Sequence, residues 1–92
     1  MDIYGKIVEK IIRAQEGIIG PIALEQARKV PGLKVDLSKN DIKFDGKQKE
    51  IIEKLIEQYK GLFGPASVEM CRDAVKGIVS EMKADDLPSS LK

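Results

Sequence analysis

The chain has no histidine and a single cysteine, Cys71. The first absence removes imidazole as a base or metal ligand, and the second excludes an intramolecular disulfide. Aromatic residues are also scarce, at 4%. Neither sign of charge dominates: 16 basic and 15 acidic residues leave a net charge of +1. A dedicated nucleic-acid binder usually carries a basic surplus, because phosphate neutralisation supplies most of its affinity. Long apolar runs are missing too. The uncharged stretch Gly17 to Leu24 falls far short of the ~20 residues of a membrane span. The opening Met1-Asp2-Ile3-Tyr4 has neither the basic region nor the apolar core of a secretory leader, so the cytoplasm is the expected location and no membrane is expected.

What remains is a globular composition. Of 92 residues, 42% are hydrophobic and 34% charged, with twelve isoleucines among them. A single domain of this size buries roughly 60–65% of its unfolded surface and folds with modest stability. Abundant Ile, Glu and Lys with little Gln or Asn give the composition a thermophile flavour.

The organising feature is an internal duplication. Residues 7–32 align without a gap on residues 51–76, and nine of the 26 positions are identical. These are Ile7/Ile51, Glu9/Glu53, Lys10/Lys54, Ile12/Ile56, Gly17/Gly61, Gly20/Gly64, Pro21/Pro65, Glu25/Glu69 and Arg28/Arg72. Most other pairs keep their apolar or polar character. Such a repeat sets the fold-level expectation.

Each unit reads as helix, Gly-x-x-Gly-Pro corner, helix. A first helix is expected from about Ile3 to Glu16, with Ile3, Tyr4, Ile7, Val8, Ile11, Ile12 and Ala14 as its apolar stripe. Its counterpart runs from about Lys47 to Lys60, with Ile51, Ile52, Leu55, Ile56 and Tyr59. Both are expected to stop at a C′ glycine with positive φ, Gly17 or Gly61. The apolar pairs that follow, Ile18-Ile19 and Leu62-Phe63, suit a buried corner. Gly20-Pro21 and Gly64-Pro65 then read as N-cap and N1 of the next helix. That helix covers about Pro21 to Val30 in unit one, halted by Pro31-Gly32. In unit two it covers about Pro65 to Met82, with Val68, Cys71, Val75, Ile78 and Met82 on one face.

The expected fold is therefore mainly all-α, four helices in a duplicated helix–GxxGP–helix arrangement within one domain, residues 1–83. Unit one spans 3–32, a connector 33–46, and unit two 47–83. Alternation of Leu33, Val35 and Leu37, then Ile42 and Phe44, around Ser38-Lys39-Asn40-Asp41 points to a short β-hairpin in the connector, against an irregular loop. Residues 84–92 have little to pack on and are expected to form a loose tail. The two helix pairs should be related by an approximate two-fold axis, with helices 1 and 3 as the central layer. Any surplus of the apolar stripe would drive dimerisation.

Candidate chemistry is thin. The Gly-x-x-Gly-Pro turns lack the G-x-G-x-x-G spacing, a preceding strand and a following Lys-Ser/Thr, so they read as structural rather than phosphate-binding. Asp36-x-Ser38-x-Asn40 begins like a calcium loop, but Asp41 and Lys47 stand where glycine and a bidentate Glu are required. These acidic groups suit turn and helix capping instead. Cys71 lies in an apolar stripe with no second Cys or His to activate it, as expected of a buried, inert thiol. Ser67 and Ser80 also lack a base. Glu53 and Glu57 lie among lysines, without the cleft that paired acid–base carboxylates need. No catalytic residue, cofactor or metal ligand is expected.

The most informative polar residues are Glu25, Arg28, Glu69 and Arg72, a Glu-x-x-Arg pair kept in both units. They read either as intrahelical ion pairs or contacts to a neighbouring helix, or as matched recognition surfaces anchored by arginine. The segments GIIGPIALEQARKV and GLFGPASVEMCRDAV resemble short helical modules with a Gly-Pro-Ile-Ala-type turn in archaeal and bacterial signalling and regulatory proteins. That resemblance implies an accessory or interaction role and carries over no catalytic residue. The expected function is a non-enzymatic protein–protein interaction or regulatory adaptor, with a protein partner or a second copy. The alternative is a nucleic-acid-associated protein using a basic face of Lys39, Lys43, Lys47, Lys49 and Lys54.

Overall fold

A computed structural model describes residues 2–92. Four helices are present: α1 (Ile3–Ile19), α2 (Ile22–Arg28), α3 (Gln48–Phe63) and α4 (Pro65–Val79). Between α2 and α3 lies an antiparallel hairpin of β1 (Leu33–Asp36) and β2 (Asp41–Phe44), paired Leu33 to Phe44 and Val35 to Ile42. The fold is mainly α with a β-hairpin, as the sequence pattern indicates. Asp36 nucleates the hairpin turn, its carboxylate accepting from the Ser38 N–H at 3.1 Å and from the Ser38 hydroxyl. Asn40 closes it in the left-handed conformation that Asn tolerates best after glycine. A free hairpin is marginal, but here buried Leu33 and Val35, with half-buried Ile42 and Phe44, lie against α1 and α2.

Both long helices run further than their first glycine. Gly17 and Gly61 are helical and have no positive φ, so their assignment as C′ residues is incorrect. Helix termination falls instead on Gly20 (φ 73°, ψ −155°) and Gly64 (φ 82°, ψ −176°). Each still donates a closing hydrogen bond, to Glu16 at 2.9 Å and to Lys60 at 2.8 Å. The proline that follows decides the position. Pro disfavours helical geometry in the residue before it, and the resulting combination of positive φ with extended ψ is open essentially to glycine alone. A helix-interior glycine costs only about 1 kcal/mol, which the steric restriction imposed by the proline outweighs.

Proline also sets the short helix. Pro31 disfavours helical geometry at Val30, and α2 ends at Arg28. In α4 no proline intervenes, and the chain continues through Val79 into a last turn ending at Met82.

The core is built from Ile7, Val8, Ile11 and Ile12 of α1, Ile51, Ile52, Leu55, Ile56 and Tyr59 of α3, Ala23 and Ala27 of α2, and Cys71 and Val75 of α4. Two of the buried hydrogen bonds between the units are made to main-chain carbonyls. Gln15 Nε2 donates to the Ser67 carbonyl at 3.2 Å, and Tyr59 OH donates to the Ala23 carbonyl at 2.6 Å. Under the alignment of the repeats, position 15 corresponds to 59 and position 23 to 67. The two bonds are thus one contact made twice, each unit reaching into the other, as an approximate two-fold requires.

The two-fold is broken by helix length. A central layer of α1 on α3 was expected, but α1 packs most extensively on α4, and α3 on α4 next. Truncation of α2 denies α3 the reciprocal contact, and the hairpin covers α1 and α2 instead. The C-terminal segment is likewise not loose. It forms two 3-10 turns, Ala84–Asp86 and Ser89–Leu91, with Pro88 and Leu91 buried. The Glu53 carboxylate accepts from the Ser90 N–H and, at 2.8 Å, from its hydroxyl. Arg72 donates to the Lys92 main-chain carbonyl at 2.8 Å, and Tyr4 OH to that of Asp86 at 2.8 Å.

Candidate functional site

The repeated Glu-x-x-Arg pairs have parted in use. Arg72 lies 3.5 Å from Glu69 and also holds the C-terminal segment, so this copy is a structural clasp. Glu25 and Arg28 are exposed on α2 and form no ion pair among the described residues. The four side chains are not brought together into one site.

Cys71 is fully buried, and its thiol accepts a 3.5 Å hydrogen bond from Gln15. Burial raises its pKa above the ordinary 9.0, with the Gln15 bond opposing more weakly. The lysines considered as a basic face are exposed but interleaved with acid. Lys43 lies 3.7 Å from Asp41, and Lys49 donates to the Asp85 carbonyl at 2.6 Å. Open grooves flank the α3 N-terminus, one of about 490 Å³ lined by Tyr4, Lys47, Gln48, Lys49 and Glu50. It contains no nucleophile–base pair. No group of three His, Cys, Asp or Glu side chains converges in a metal-like cluster among the described residues.

The most distinctive surface lies at the corners. Gln15 on the last turns of α1 touches the first turn of α4, and Tyr59 on α3 touches the first turn of α2. The C-terminal ends of α1 and α3 and the N-terminal ends of α2 and α4 therefore share one end of the molecule. Residues 17–24 and 61–68, which carry no charged side chain, both lie at that end. The corner residues were expected to be buried, yet Ile18 is 58% exposed, Leu62 52%, Ile22 40% and Phe63 39%. Ile19 is half-buried, and Pro21, Pro65 and Ala66 are exposed beside them.

The cause is the same helix extension that displaced the glycines. Ile18 follows Ile11 by one heptad, Leu62 follows Leu55, and Phe63 follows Ile56. Each is in phase with a core residue but one layer beyond the last partner, so the stripe runs out into solvent. That heptad spacing was the available sequence signal. With helix ends at Gly17 and Gly61, that spacing would fall outside the helices.

No protein-family model, curated protein or solved structure matches the chain. No helix among the described residues is long and apolar enough to cross a membrane.

Proposed function

We propose that the chain is a small protein–protein interaction or regulatory adaptor module without catalytic activity. The observation that carries this reading is the uncharged end formed by the two corners. Large apolar side chains left exposed together at one end of a small domain mark association sites, because isolated monomers gain nothing by leaving them wet. Glu16, Glu25, Lys60 and Glu69 follow in the rim. A largely apolar, cap-mediated contact that survives moderate salt is the expected binding mode.

The test is capture of partners by tagged protein from lysate, at low and moderate salt, with and without nuclease, beside the Ile18→Lys/Leu62→Lys variant. A stoichiometric protein that survives salt and nuclease but is lost with the variant supports the module. Recovery of nucleic acid alone, falling steeply with salt, overturns it in favour of the basic face of Lys39, Lys43, Lys47, Lys49 and Lys54.

A further inference from the structure

We propose that the apolar end cap is covered by a second copy of this chain, in a head-to-head dimer. The inference rests on the reading of the cap as an interaction surface and names its occupant. Three observations select a second copy.

The cap sits where the two units meet, so each unit presents nearly the same apolar set: Ile18 with Leu62, and Ile19 with Phe63. An isologous interface needs a patch that is complementary to itself, and a patch that is already internally duplicated meets that demand. The exposed residues also continue the core stripe by one heptad. Stacking two copies end to end supplies the missing layer, with the Ile18 and Leu62 side chains of both copies closing a core that each copy leaves open.

Charge fixes the orientation. The rim position one helical turn before the terminating glycine is Glu16 in α1 and Lys60 in α3, the same repeat position with opposite signs. Of the two-fold axes perpendicular to the internal one, one stacks unit one of each copy on unit two of the other. That arrangement sets Glu16 opposite Lys60 twice. The competing arrangement sets Glu16 against Glu16 and Lys60 against Lys60, which like-charge repulsion disfavours. With a net charge of only +1 per copy, long-range repulsion does not oppose the encounter.

The experiment is sedimentation equilibrium of the wild-type chain across a concentration series, with thermal melts as the folding control. A monomer–dimer equilibrium is expected. Ile18→Lys/Leu62→Lys should be monomeric throughout yet melt cooperatively, since both residues are exposed and a cation suits a helix C-terminus. Lys60→Glu alone should weaken the dimer by about tenfold, and adding Glu16→Lys should restore it. A wild type that stays monomeric to its solubility limit overturns the proposal. So does a dimer that persists in the cap variant, or charge variants that fail to compensate. A monomer that still captures another protein through the cap overturns the second copy but leaves the interaction module standing. A monomer with no cap-dependent capture overturns both.

Discussion

At the scale of single residues, the buried Tyr59 bond between the units carries the clearest consequences. Tyr59 is buried, and desolvation of its phenolate raises its pKa above the ordinary 10.0, with Cys71 and Glu16 adding smaller electrostatic contributions in the same direction. The fold thus favours the neutral phenol. Its contribution is complete below the unfolded value near 10 and is lost as pH rises beyond it. Tyr59→Phe should cost about 1 kcal/mol at neutral pH through the lost bond to Ala23. The same variant should flatten the alkaline limb of a stability–pH curve, leaving the parts from Cys71 and Tyr4, whose pKa values are also raised chiefly by desolvation. Urea denaturation at a series of pH values checks both. Glycine offers a sharper contrast. Gly61 is helical, with open space where a Cβ would stand, so Gly61→Ala should stabilise by about 0.5–1 kcal/mol. Gly64 holds φ 82° with extended ψ, and Gly64→Ala should destabilise by about 1–3 kcal/mol. Melting temperatures moving in opposite directions would establish which glycine ends the helix.

Among the elements, proline and helix length explain what was legible and what was not. The duplication, the helices and the hairpin follow from periodicity, repeat identities and alternation, all of them local patterns. The helix ends do not, because two local rules compete at Gly-x-x-Gly-Pro: glycine as a C′ residue and proline restricting its predecessor. The second wins, since it is steric, whereas the first is only a preference. The docking of the C-terminal segment is illegible in the sequence for a different reason. Its anchors, Glu53 and Arg72, are remote in sequence from Ser90 and Lys92, and nothing in ADDLPSSLK shows that Pro88 and Leu91 have a groove to enter. The duplicated Glu-x-x-Arg motif was visible, but its division into a clasp on α4 and an exposed pair on α2 depends on which unit has a segment to hold. Glu53→Ala should release that segment at a cost of about 1.5 kcal/mol. Amide exchange should rise over residues 84–92 while the α1 core stays protected; unchanged protection of Ser90 would refute Glu53 as the anchor of that segment.

For the whole molecule, the central claim is that duplication builds an end cap whose apolar surface is for association. A lone helical hairpin cannot bury its stripe, and the second unit supplies the partner in cis. The two units differ in length, and different segments complete them: the hairpin over α1 and α2, the C-terminal turns over α3 and α4. Neither segment reaches the corners, where Ile18, Ile22, Leu62 and Phe63 stay open. The most direct measurement is an amide-resolved NMR titration of the labelled chain against increasing concentration of itself. The account predicts shifts confined to residues 17–24 and 61–68 and their rim, abolished by Ile18→Lys/Leu62→Lys. Shifts centred instead on Lys39 to Lys54 would contradict it, and a spectrum unchanged at every concentration would remove a second copy as the occupant of the cap.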